Sequence, residues 1–160
     1  MSVTWDDCLA YGQSVKNWPA FEDSAGALQY LKKFYRLVVL SNVDNASFAH
    51  GNTKLQVEFD AVYTAEDIGS YKPSTRNFKY MLEQLARIGI EKNQILHTAE
   101  SMFHDHAPSN NFGLSSCWIY RLNDQEGFGA TMRPGQMPKY DMVFNSMADL
   151  VKTHQKELTG

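Results

Sequence analysis

The stretch LVVLSN, residues 37–42, places four consecutive apolar residues, two of them β-branched, directly before a small hydroxyl and an amide. A run this short with no alternation is the pattern of a strand covered by helices on both faces, as in parallel sheets. The flanking sequence supports that reading. On the N-terminal side, Asp23 or Ser24 suits the start of a helix to about Phe34, with Ala27, Leu28, Leu31 and Phe34 on one face. On the C-terminal side, residues 45–55 have the length of a crossover helix, and AVYT (Ala61 to Thr64) is the next strand.

The alternation continues to the end of the chain. Ser74 to Ile88 predicts a helix with the apolar stripe Phe78, Met81, Leu82 and Leu85, preceded by Pro73 and stopped by Gly89. Ile95 to Thr98 reads as a strand, Asp105 to Phe112 as a short helix, and Cys117 to Tyr120 (CWIY) as a buried strand. A polar loop rich in Gly and Pro is expected from Leu122 to Lys139. A last strand, Met142 to Phe144, and a helix from Ser146 follow. The fold class expected is α/β, a Rossmann-like open parallel sheet flanked by helices.

Composition narrows the partners. The 160 residues are 43% hydrophobic and 21% charged, with a net charge of -3. These are values of an ordinary globular chain without the concentrated basic surface that nucleic acid requires. No apolar run approaches the ~20 residues that span a bilayer. The acidic start MSVTWDDCLA lacks the basic and then apolar pattern of a secretory signal, so a cytoplasmic setting is expected. Cys8 and Cys117 lie far apart, which predicts neither a disulfide nor a zinc site.

In open parallel sheets ligands gather beyond the carboxyl ends of the strands. Ser41 and Asn42 stand at one such end as donors for an anion, although either residue, or Asp44, equally suits capping of the next helix. Lys72 follows the next strand in IGSYKPS, where its ammonium can neutralise a carboxylate or phosphoryl oxygen or simply be solvated. After the strand ILHT comes AESMFHDHAPS, which concentrates Glu100, His104, Asp105 and His106. Glu100 and Asp105 are carboxylates suited to Mg²⁺, and Asp105 or His104 also suits a helix cap. Glu100, His104, Asp105 and His106 are acid or base candidates.

The order of these groups, a small polar pair, then Lys-Pro, then an acidic turn, resembles motifs two to four of the haloacid dehalogenase superfamily. WPAFEDSAGALQYLKKFYRLVVLSNVDNASF, SYKPS and ESMFHDHAPSN carry the likeness, which is nearest to the type II 2-haloacid dehalogenase branch and runs from about Trp18 onward. The resemblance implies an aspartate nucleophile that forms a covalent intermediate, released by water. It implies that Ser41 and Asn42 hold a substrate carboxylate or phosphate, and that Lys72 pairs with the nucleophile. It further implies that Glu100 and Asp105 bind Mg²⁺ in phosphatase members or position water in dehalogenase members. Glu100 stands where aspartate or a small polar residue is usual.

The nucleophile motif, an aspartate directly after an apolar strand with a second acid two residues on, is matched by no aspartate of these 160 residues. The expectation is therefore residues 19–160 as a hydrolase-like core and residues 1–18 as a cap remnant or a replacement segment. Such a core retains a pocket for a small anion and has little dehalogenase or phosphatase turnover alone. Repurposed acid–base chemistry, or an inactive homodimeric binding protein, are the other readings. In family members the nucleophile's strand is central, so residues 1–18 or a second copy are expected to fill its place, unless two strands pair directly.

Overall fold

The computed structural model describes residues 3–122, 127 and 131–160. Five short parallel strands alternate with helices, as the apolar runs predict. Strand β1 (Val38–Ser41) pairs with β2 (Ala61–Thr64), and β3 (Leu96–Ala99), β4 (Ser115–Ile119) and β5 (Met142–Phe144) pair in that order. Among the described residues these are two separate parallel sheets, and β1 does not pair with β3. Direct pairing across the expected gap is thus overturned.

Local chemistry sets the helix starts. Helix α1 (Trp5–Gln13) begins with a capping box, in which Thr4 and Asp7 satisfy each other's backbone N–H. Helix α2 (Ser24–Leu31) is shorter than the apolar spacing predicts and buries Ala27 and Leu31. Its Asp23 side chain does not cap it, because that carboxylate accepts instead from Arg121 at 3.0 Å and from the Ala148 N–H at 3.2 Å. Helix α3 (Asn45–Leu55) is capped by Asp44, whose Oδ1 accepts from Ser47 N–H at 2.7 Å, which settles the competition for that role.

Helix α4 (Ala65–Ile68) is a single turn that sequence periodicity is too short to reveal. Helix α5 (Thr75–Arg87) lays Phe78, Met81 and Leu85 against Leu114 in the core, and Val38, Leu40 and Tyr63 from the first sheet and Ile95 from just before β3 pack on the same cluster. One helix therefore covers both strand groups. Helices α6 (Ala107–Asn110) and α7 (Met147–Thr159) complete the order, α7 starting at the Ser146 cap.

Residues 5–13 form a helix with no buried residue, followed by a tight turn at Ser14–Asn17. The described part of residues 1–18 thus supplies no strand, and its expected role as a filler of the sheet is corrected. A capping box and a polar–apolar sequence without alternation favour helix there. Met1 and Ser2 lie outside the described residues, as do 123–126 and 128–130 of the polar loop expected from Leu122 to Lys139.

Candidate active site

Parallel pairing turns alternate backbone groups of a strand to opposite sides. The Leu37 carbonyl accepts from the Asp60 N–H at 2.8 Å, on the β2 side, so Val39 and Ser41 face β2 while Val38 and Leu40 face outward. On that outward edge the Leu40 carbonyl accepts from Lys72 Nζ at 2.7 Å. The same ammonium donates to Asp105 Oδ1 at 2.7 Å, and both side chains are about nine-tenths buried. Lys72 therefore links the end of β1 to the turn that follows β3.

The loop carrying Lys72 is pinned through Asn42. Its Oδ1 accepts from the Lys72 backbone N–H at 2.7 Å and its Nδ2 donates to the Lys72 carbonyl at 2.9 Å. One donor and one acceptor of this amide are thus used on Lys72's own backbone, a positioning role the sequence does not reveal. Ser41, half-buried, is the last residue of the same strand.

Asp105 is delivered by a π-helical turn over Met102–His106, in which His106 N–H reaches back to the Ser101 carbonyl at 3.2 Å. The wider turn inserts one extra residue before α6, and it replaces the start of the short helix expected from Asp105. The His97 Nε2 lies 3.2 Å from the same Asp105 Oδ1. Burial pushes the Asp105 carboxyl up, but the His97 hydrogen bond and the Lys72 and His97 charges outweigh it and hold the group down at about 2. Ionised, Asp105 only accepts, so His97 donates.

The other acidic and imidazole candidates make no hydrogen bond to Lys72 or Asp105 among the described residues. Burial and the nearby Asp105 charge raise the Glu100 carboxyl, with Arg121 opposing. His104 turns to Ser101, its Nδ1 3.1 Å from the hydroxyl oxygen that also caps its backbone N–H. His106 is fully buried, with Nε2 3.1 Å from the Ala99 carbonyl, and burial lowers its pKa. His97 was not singled out by sequence reasoning. The available signal was an imidazole inside an otherwise apolar strand, ILHT, three residues before Glu100.

Mg²⁺ prefers several oxygen ligands and keeps part of its water shell. Here Asp105 Oδ1 already holds an ammonium and an imidazole N–H, and no group of three His, Cys, Asp or Glu converges among the described residues. Asp105 Oδ2 and the Glu100 carboxylate are the oxygens of the expected pair left to hold such an ion.

The parallel α/β core places the Lys72–Asp105 pair beyond the carboxyl ends of its strands, where open parallel sheets gather ligands. Residues 7–119 match the family described as haloacid dehalogenase-like hydrolase, and the chain belongs to that family. It is 32% identical over 106 residues to an (S)-2-haloacid dehalogenase of Pseudomonas fluorescens, covering 64% of this chain and 45% of that protein. A second (S)-2-haloacid dehalogenase, of Pseudomonas putida, is 31% identical over the same length. The chain spans about half the length of these curated relatives.

The fold is shared with the L-2-haloacid dehalogenase of Xanthobacter autotrophicus with chloropropionic acid covalently bound. That match has a TM-score of 0.77 at 20% identity, covering 97% of this chain and 69% of that one. The HAD-hydrolase YfnB of Bacillus subtilis, bound to magnesium, matches with a TM-score of 0.74 at 15% identity, covering 91% and 60%.

Proposed function

We propose that these 160 residues form the anion-holding core of a haloacid dehalogenase-like site, with Lys72 as its cation and a small carboxylate such as a 2-haloacid as the class of ligand. The observation that carries the reading is the buried Lys72 ammonium. It spends two of its three donors on the Leu40 carbonyl and Asp105 and retains the third. Asn42 fixes the lysine's backbone rather than meeting the ligand with its whole amide.

Hydrolysis through a covalent aspartate needs a nucleophile, and no aspartate of the 160 residues carries the motif described above. The reading therefore includes binding without appreciable turnover by this chain alone. Residues 19–160 supply the core, and residues 1–18 are a cap remnant or a replacement segment; the family match from residue 7 supports the remnant. A cytosolic setting belongs to the same reading and is supported by two free cysteines, Cys8 exposed and Cys117 buried. The test is titration of (S)-2-chloropropionate and of inorganic phosphate into the isolated chain, with halide and phosphate release assayed in parallel. Saturable binding that is lost in Lys72→Met, with release at background, is the expected result. Absence of binding, or turnover that survives Lys72→Met, contradicts it.

A second reading, association with another copy, rests on a separate observation. Val38 and Leu40 turn backbone groups to a side of β1 that has no strand partner among the described residues, and Trp5, Tyr11, Trp18 and Phe21 are exposed. Open strand edges and clustered apolar surface both favour pairing of chains. Sedimentation at several concentrations decides it: a dimer supports this reading and a monomer throughout the range removes it.

A further inference from the structure

Asp105 Oδ1 receives two donors, Lys72 Nζ at 2.7 Å and His97 Nε2 at 3.2 Å. A carboxylate bonded to one ammonium alone can turn and offer either oxygen. A second donor on the same oxygen removes that freedom and leaves Oδ2 aimed away from both. The His97 ring is itself fixed. Phe78, fully buried, packs edge-on to it with centroids 5.1 Å apart, and the buried His106 ring lies 6.1 Å away.

We infer that His97 is a positioning residue: it locks the Asp105 carboxylate so that the Lys72 ammonium is held between Asp105 and the Leu40 carbonyl, with its third donor directed to the ligand. The inference deepens the anion-holding reading and rests on it only for the identity of the ligand. His97 touches no ligand; it acts through Asp105 and then through Lys72. An imidazole placed purely for packing has no need of an N–H at that oxygen, and this separates the role from a structural one.

Three readouts on the full chain test the inference. In the unaltered protein at pH 8, long-range proton–nitrogen correlation is expected to find the His97 ring protonated on Nε2. Protonation on Nδ1 alone overturns the inference and requires no variant to fold. In His97→Phe, which keeps the ring packing against Phe78 but removes the donor, the Lys72 ammonium signal is expected to exchange with water about tenfold faster and 2-chloropropionate to bind about tenfold more weakly. In His97→Gln, whose amide N–H reaches the same distance, both properties are expected to return to within about twofold of the parent. A folded His97→Phe protein with an unchanged Lys72 signal overturns the role. If the parent binds no chloropropionate, the ligand assignment fails, while the ring tautomer and the ammonium exchange still decide the place of His97.

Discussion

Strands β1 and β4 carry apolar runs of the same kind, VVL and CWI, yet they meet different surroundings. In β4, Ser116 through Ile119 are buried, with β3 on one side and β5 on the other. In β1 all four residues are half-buried, and only β2 pairs with it. The difference teaches that composition sets where a strand forms, while the number of neighbours sets how much of it is removed from water. It also explains the position of the site, because the side of β1 without a strand partner is where the Leu40 carbonyl is open to Lys72.

The largest effect is expected at the link between the two strand groups. Lys72→Met leaves the buried Asp105 charge without its ammonium and is expected to cost about 3–5 kcal/mol in urea unfolding, together with the loss of anion binding. A cost near zero would show that the pair is solvated and that the two groups are held by α5 alone. Next is the well-covered strand: Ile119→Ala is expected to cost about 3 kcal/mol, because a 4%-exposed side chain leaves a cavity with little freedom to collapse.

Acid probes the same link without a substitution. Asp105 is held at about 2 in the fold against 3.8 when unperturbed. A depressed carboxyl contributes stability that is present above its unfolded value and lost as pH falls through the folded one, so about 2 kcal/mol is expected to disappear between roughly pH 4 and pH 2. His106 acts earlier and with the same sign. Its pKa is lowered by burial, so the unfolded chain takes up the proton first and stability begins to fall below about 6.5. Stability measured across this range is expected to decline in two stages, the second smaller in Lys72→Met. The smallest effect is expected at the half-covered strand, where Val39→Ala should cost about 1 kcal/mol, well below Ile119→Ala.

Much of this contrast was hidden in the sequence. The strands AVYT and MVF and the helix over residues 45–55 were legible to the residue, because each is bounded by a turn or a capping side chain. Strands β1, β3 and β4 were legible to within two residues. Helix α1 was not legible, since its stability is local, a capping box with no buried face, and leaves no apolar stripe to read.

At the site, Lys72 and Asp105 were found from their places after successive strands, and the fold brings them together. Three parts were out of reach for physical reasons. Asn42 looked like a ligand donor because sequence cannot show that its amide closes on a backbone 30 residues away. His104 and Asp105 are adjacent, yet the π-helical turn sends His104 to Ser101 and Asp105 inward. His97 was passed over inside its strand because periodicity treats an intermediate residue as filler, and only the position of Asp105 gives its nitrogen a partner.

Amide hydrogen exchange on the intact chain tests most directly whether β1 is a half-paired strand joined to the covered sheet through Lys72. The Val38 and Leu40 amides, which face away from β2, are expected to exchange at least about a hundredfold faster than those of Cys117 and Ile119. Equal protection at the two strands would contradict the account.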